Sequence, residues 1–408
     1  MFAGILKKLQ QKVCYWTITS QNNITTLNML NSGLQLIKGT TLLLLAALTI
    51  ACSDSGDTNC QEQTWYQDFD NDGLGNAAVS LSACEQPSGY VADNTDTDDT
   101  GGTGSSNDDY TGTGSVSQGS ATTTTNNLLD CGRTAGLGTI NSTDGNSWTM
   151  PAAVNYDNSD FPFASDLHNP CNGNNYANTT AALAALDGSD IVEIDADGEV
   201  ITAYVFADNY FEMYINGTPV GKDNVPFTQF NSDVVRFKVN RPFTVAMKLV
   251  DWEENLGLGT EASGSFAHHP GDGGMVAVFK DASDNIIDIT NDTWKAQTFY
   301  TAPIKDLSCL SENGTERLSV NCDDADSNDG SSYYAVHWAV PDNWTMETFD
   351  DSAWPSATTY TNNTIGVDNK SAYTNFTDIF DASGNDAQFI WSTNVVLDNE
   401  VIVRKTIQ

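Results

Sequence analysis

From residue 128 to the C-terminus the chain is a succession of short β-rich runs separated by turn clusters. That pattern limits the folds open to it more than any other feature. The runs are 201–206, 210–215, 234–239, 243–250, 275–279, 334–338, 389–391 and 401–404. Asn216-Gly217 directly follows one of them, the strongest short hairpin signal because both residue types accept positive φ. Helix is sparse, with only the Ala-rich stretch 179–186 having helical character. The prediction is an all-β body of the sandwich or jelly-roll kind. It forms either one enlarged unit or two tandem ones split near 303–322.

The chain has 408 residues with 54 acids against 17 bases, a net charge of -37, which argues against a nucleic-acid partner. A hydrophobic share of 39%, with 17 Phe, 14 Tyr and 9 Trp, is enough to build a core. The acids are not spread evenly. Residues 1–51 contain none, and their only bases are Lys7, Lys8, Lys12 and Lys38. Lys38 precedes the apolar run 41–51, which has signal-peptide length and is too short for a bilayer core of about 30 Å. Residues 1–51 are therefore read as a signal region, with Met29 as an alternative start.

Leu48-Thr49-Ile50-Ala51-Cys52 resembles the lipobox of bacterial lipoproteins, although Thr49 stands where that motif usually has Leu. The resemblance implies lipidation of Cys52. Ser53-Asp54-Ser55-Gly56-Asp57 is similar to the acidic tag that directs Bacteroidota lipoproteins to the cell exterior. Residues 52–59 then form a lipidated tether on an outward-facing outer-membrane protein, which touches the membrane only through its lipid.

Setting aside Cys14 in the leader and Cys52, six cysteines remain: Cys60, Cys84, Cys131, Cys171, Cys309 and Cys322. In sequence order they pair as one local bridge per segment, among the roughly 15 pairings open to six cysteines. No Cys-x-x-Cys occurs, which disfavours zinc ribbons and thioredoxin chemistry.

Residues 60–100 form a small acidic module too short for a core of its own. Asp68-x-Asp70-x-Asp72-Gly73-x-Gly75 sets oxygens at alternate positions of a tight turn, as a hard cation requires. It resembles a thrombospondin type 3 calcium repeat. An EF-hand is disfavoured because Val79 stands where that loop needs a bidentate Glu. Calcium is the expected cofactor, on Asp68, Asp70 and Asp72 with Asp96 and Asp98 completing the cage. Residues 101–127, nearly all Gly, Ser, Thr, Asn and Asp, read as a flexible linker before the 128–408 body.

Residues 207–221, Ala-Asp-Asn-Tyr-Phe-Glu-Met-Tyr-Ile-Asn-Gly-Thr-Pro-Val-Gly, with 244–248 and 273–278 downstream, resemble the galactose-binding-like jelly roll. Phe349-Asp350-Asp351-Ser352-Ala353-Trp354-Pro355 and the closing strand with Arg404 look like the Trp-Pro turn and final strand of the same superfamily. The resemblance implies architecture, and sugar binding only at fold level.

The best site candidate is the long loop bracketed by Asp251-Trp252-Glu253-Glu254 and His268-His269-Pro270-Gly271-Asp272. A jelly-roll connection needs no such length, and function concentrates in long loops. Its histidines and carboxylates could hold a metal, and Trp252 could stack on a sugar ring. The alternative is a structural loop with Trp252 packed inward and the two histidines pointing apart. His337 and Trp338, Trp344, Trp354 and Trp391 are read as packing residues. No Gly-x-Ser-x-Gly elbow or phosphate-binding loop is present, and no catalytic residue can be named. The expected function is a surface lipoprotein that binds a glycan or another ligand without cleaving it. The alternatives are a polysaccharide hydrolase using the 251–272 loop and a purely structural or adhesive protein.

Overall fold

The computed structural model describes residues 63–68, 74–87, 89–95, 110–227, 230–326, 330 and 333–408. The signal region, Cys52, Cys60, Asp70, Asp72, Asp96 and Asp98 lie outside the described residues. Among the described residues, 63 with 82–85 and 64–81 with 86–408 group into two units. In the acidic module, Gln63–Gln67 pairs antiparallel with Tyr90–Val91, placing Tyr66 opposite Val91. Asp68, next in the chain, is buried, and Cys84 is disulfide-bonded.

The body is an all-β sandwich. Its front sheet runs Thr218–Lys222, Tyr210–Ile215, Phe243–Val250, Asp398–Ile407, Lys295–Ile304, Tyr334–His337, Ser115–Gln118, antiparallel throughout. Its back sheet runs Thr358–Tyr360, Phe389–Trp391, Gly274–Lys280, Glu199–Asp208, Ser232–Val239, Ser165–Asn169, Asn174–Asn175. Ile191–Glu193 joins the back sheet in parallel beside Ser232–Val239. Asn216 and Gly217 take φ of 50° and 85°, closing the hairpin between Tyr210–Ile215 and Thr218–Lys222 as their residue types predict.

Side-chain alternation explains the layers. Phe211, Met213, Ile215, Val245, Met247, Leu249, Val401 and Val403 point from the front sheet into one core with Ile201, Ala203, Val205, Val235, Phe237 and Val276 of the back sheet. The intervening residues of the front sheet belong to other apolar clusters. Tyr210, Val250 and Trp252 pack with Ala135 and Ala152, whereas Ala246 and Ile402 pack with Trp338, Trp344 and Trp354. Both faces of the front sheet are thus covered, which is why every residue of Phe243–Val250 is buried.

The outer cover is fastened by buried charge. Lys222 Nζ donates to the carbonyls of Asn155, Tyr156 and Asn158 at 2.7, 2.6 and 2.9 Å. Lys248 Nζ pairs with Glu400 at 3.0 Å and donates to Ala153 O at 2.6 Å. Arg404, fully buried, pairs through Nε with Asp351 at 2.8 Å and donates to the carbonyls of Trp344 and Met346. Charges this deep persist only because their partners are present. The Asp351–Arg404 pair also joins the Trp-Pro turn to the final strand.

Of the two arrangements left open for the body, the structure has one sandwich, because Lys295–Ile304 and Tyr334–His337, which flank the 305–322 region, are neighbours in the same sheet. One expectation needs correction: the linker does not extend to 127. Ser115–Gln118 is an edge strand, with Val116 opposite Val336, and Thr122–Cys131 forms a hairpin with Arg133–Asn141. A polar segment that cannot bury much surface alone can still dock on an existing sheet edge through its backbone.

Disulfides link Cys131 to Cys171 and Cys309 to Cys322, as sequence-order pairing predicts. The predicted helix forms over Thr179–Leu183, where Asn178 caps the Ala181 amide at 2.9 Å. Trp338, Trp344, Trp354, Trp391 and His337 are all buried in packing positions, as expected of them.

Candidate functional site

The site is built where the chain crosses between the sheets at one edge of the sandwich. Glu199–Asp208 ends the back-sheet strand, Asn209 alone intervenes, and Tyr210–Ile215 begins in the front sheet. Asn209 anchors the neighbouring strand end, its amide donating to Val250 O at 3.2 Å and its side chain accepting from the Trp252 amide. Asp208 and Asp251 are therefore brought to the same edge. The 251–272 loop leaves the front sheet after Val250 and enters the back sheet at Gly274, which lies opposite Asp208. Both ends of the loop thus converge on Asp208.

These residues line a cleft of about 500 Å³. Asp208, Asp251, Glu253, Glu261 and Asp272 supply carboxyl groups, and His168, Asn209, Asn231 and His269 supply imidazoles and amides. Phe227 and Phe230 form an apolar wall. Among the described lining residues the only lysine or arginine is Lys370, whose ammonium lies 4.5 Å from the Phe230 ring centroid.

The carboxyls are crowded. Glu253 Oε1 accepts the Gly271 amide at 2.7 Å. A Cβ on Gly271 would lie 2.9 Å from that oxygen and 3.6 Å from Asp251 Oδ1, so the position suits glycine and brings both carboxyls to one point. Asp251 Oδ2 is buried without a hydrogen-bond partner. Burial, then repulsion from Glu261, pushes Glu253 up to about 8, against the opposing pull of the Gly271 amide. Asp272 rises to about 6 through burial and Glu261. Asp208 and Asp251 rise well above the carboxylate range, chiefly through burial and then through Asp272 and Glu253 respectively. Such a site retains protons at neutral pH or takes a ligand that relieves the repulsion.

Of the residues expected here, Asp251, Trp252, Glu253, His269 and Asp272 line the cleft. Glu254 instead accepts the Ala262 amide at 3.0 Å and pairs with Arg133 at 3.4 Å, bracing the outer hairpin Glu261–Ser263 and Phe266–His269. His268 packs against Gly330, while His269 bonds Asp326, so the histidines do part. Trp252 differs from the expected stacking platform. It is fully buried, meets Tyr210 edge to face at 5.8 Å, and donates to Gly136 O at 3.0 Å. An aromatic needed to close the sheet's outer face cannot also lie open to a ligand.

Sequence reasoning missed Asp208, Glu261, His168 and the phenylalanine wall. The signal for Asp208 was the short gap, residues 207–209, between the β runs 201–206 and 210–215. Among the described residues no group of three or more His, Cys, Asp or Glu is arranged to hold a metal ion. No protein-family model, curated protein or solved structure matches the chain.

Proposed function

We propose that the chain is a lipid-anchored, outward-facing surface protein whose sandwich binds a glycan in the acidic cleft without cleaving it. The observation that carries this reading is the cleft, whose polar groups converge beside the Phe227 and Phe230 wall. Its volume of about 500 Å³ accommodates one or two sugar rings. Convergent hydrogen-bonding groups with an apolar wall suit a polyhydroxylated ring. A purely structural protein has no need of such a concavity. Calcium on Asp68, Asp70 and Asp72 with Asp96 and Asp98 would hold the small module together, and lipid on Cys52 would hold the protein at the outer membrane.

A second reading, polysaccharide hydrolysis, draws on one observation. Glu253 and Asp272 titrate apart, at about 8 and about 6, and staggered carboxyls are how glycosidases separate acid from base. The test is to screen the full chain against immobilised polysaccharides and analyse each retained one for products. Retention without new reducing ends, abolished by Asp251→Asn, is expected. Release of oligosaccharides would move the function to hydrolysis, and absence of retention on every polysaccharide would overturn both readings.

A further inference from the structure

The cleft carries more acid than the chain itself balances. Asp208, Asp251, Glu253, Glu261 and Asp272 line it, against Lys370 as the single lining lysine or arginine among the described residues. Glu261 has a counter-ion of its own in Arg133, which does not line the cleft. None of the other four acids forms an ion pair with a lysine or arginine among the described residues. Asp251 is 2% exposed, its Oδ2 has no hydrogen-bond partner, and the charges acting most strongly on it are the carboxylates of Glu253, Asp208, Asp272 and Glu261. Buried carboxylates without an opposite charge are costly, so a ligand that brings one is favoured.

Spacing decides which cation fits. Among the described residues no group of three or more His, Cys, Asp or Glu is arranged to hold a metal ion, and a cavity of about 500 Å³ is far larger than a bare ion. A cation carried on an organic ring fills such a space. Gly271, without a side chain, leaves open the direction that faces both Glu253 Oε1 and Asp251 Oδ1, which lie 2.9 and 3.6 Å from where a Cβ would stand. Asp272 is the next residue in the chain. An ammonium group has three N–H donors, enough to meet these carboxyls together.

The apolar wall suits the same ligand. Its rings already receive cations from the chain, the Lys370 ammonium at 4.5 Å from the Phe230 centroid and the Arg133 guanidinium at 6.0 Å from that of Phe227. An aromatic face attracts positive charge, and it also packs against the apolar side of a sugar ring.

Resting on the glycan reading above, we propose that the cleft selects a sugar bearing a free amine, its ammonium held by Asp251, Glu253 and Asp272 and its ring against Phe227 and Phe230. Asp272, raised only to about 6, is ionised at neutral pH and provides the first anchor. Glu253, raised to about 8, gives up its proton as the ammonium arrives.

The test is calorimetric titration of the full chain with two disaccharides of the same linkage, that of β-linked glucosamine and cellobiose, which differ in bearing an ammonium or a hydroxyl at the same ring carbon. Salt is kept high enough to screen the chain's net charge of -37. The glucosamine disaccharide should bind at least about tenfold tighter, the scale of a charge-assisted hydrogen bond. Asp272→Asn should cut that ratio to about threefold or less. Asp284→Asn, at an exposed turn beyond the far end of the Gly274–Lys280 strand, should leave the ratio unchanged. Equal or tighter binding of cellobiose overturns the proposal while the glycan reading stands. Failure of both disaccharides to bind also overturns it, and the polysaccharide screen then decides the glycan reading by itself. An equal fall of the ratio in Asp284→Asn and Asp272→Asn overturns it as general attraction to an acidic surface. Tighter binding of a trilysine peptide than of the amino sugar overturns it in favour of a peptide cation.

Discussion

The Gly271 amide donates to the Glu253 carboxyl at 2.7 Å, tying the return of the 251–272 loop to its departure. Through this bond a long excursion at the sandwich edge becomes a closed structure with its acids facing inward. Without it, Asp251 and Asp272 would not be held over one cleft.

The crowding has a consequence for stability. Glu253 and Asp272 are raised to about 8 and about 6, and Asp251 is also raised, so between pH 4 and 8 the folded chain binds more protons than the unfolded one. Stability contributed by these groups is present at low pH and lost as pH rises through that window. Asp251→Asn should therefore stabilise the metal-free protein at pH 8 by about 1–3 kcal/mol and give little at pH 4. Urea unfolding at both pH values checks this. Equal effects at the two would remove the electrostatic explanation.

His337 predicts the opposite slope. Its ring is stacked between Trp148 at 5.1 Å and Tyr300 at 5.2 Å, with Nε2 2.7 Å from Ser117 Oγ. Burial pushes it down to about 3. The folded protein keeps it neutral while the unfolded chain protonates near the ordinary imidazole value of 6.5. Its contribution is complete above pH 6.5 and falls away as pH drops toward 3, up to roughly 4 kcal/mol. Relative to His337→Phe, the native protein should lose stability as pH falls from 7 to 4, read from the difference between the two unfolding curves.

Lys222 is a clasp for the outer cover. Lys222→Met keeps the aliphatic stem but leaves the carbonyls of Asn155, Tyr156 and Asn158 without their donor. A loss of about 2–3 kcal/mol is expected, because three part-buried carbonyls lose a charged donor. Hydrogen exchange should show 155–158 opening before the sheets. A loss under about 1 kcal/mol would mean the segment is held by other contacts.

The Cys131–Cys171 bridge closes a loop with a sequence separation of 40, for which the chain-entropy model gives about 4 kcal/mol. Cys131→Ala/Cys171→Ala should approach that loss in denaturant melts. Cys309→Ala/Cys322→Ala, with a separation of 13, should lose less. The reverse order would show that native packing, not loop closure, sets the bridges' worth.

Local signals carried far in this chain. The β-rich runs and the Asn216-Gly217 turn each describe a few adjacent residues, and each appears where those residues predicted it; the Cys131–Cys171 and Cys309–Cys322 bridges follow the order of the cysteines in the sequence. Lys295–Ile304 was harder to see. Its Thr298 and Thr301 hydroxyls donate to buried Asp398 at 3.0 and 2.8 Å, so residues that look solvent-facing are interior. The loop's carboxyls were visible in sequence as candidates, but their convergence with Asp208 was not.

The sequence by itself determined the β-rich, turn-punctuated body, its hairpin and the long acidic loop, because backbone preference and side-chain alternation act between near neighbours. Only the tertiary structure decided that both faces of the front sheet are covered, that Trp252 is packed inside, and that Asp208, Asp251, Glu253 and Asp272 meet. Those outcomes depend on strand register and on which distant segments share an edge. An acid carries no mark of the partner it will face once the sheets have closed.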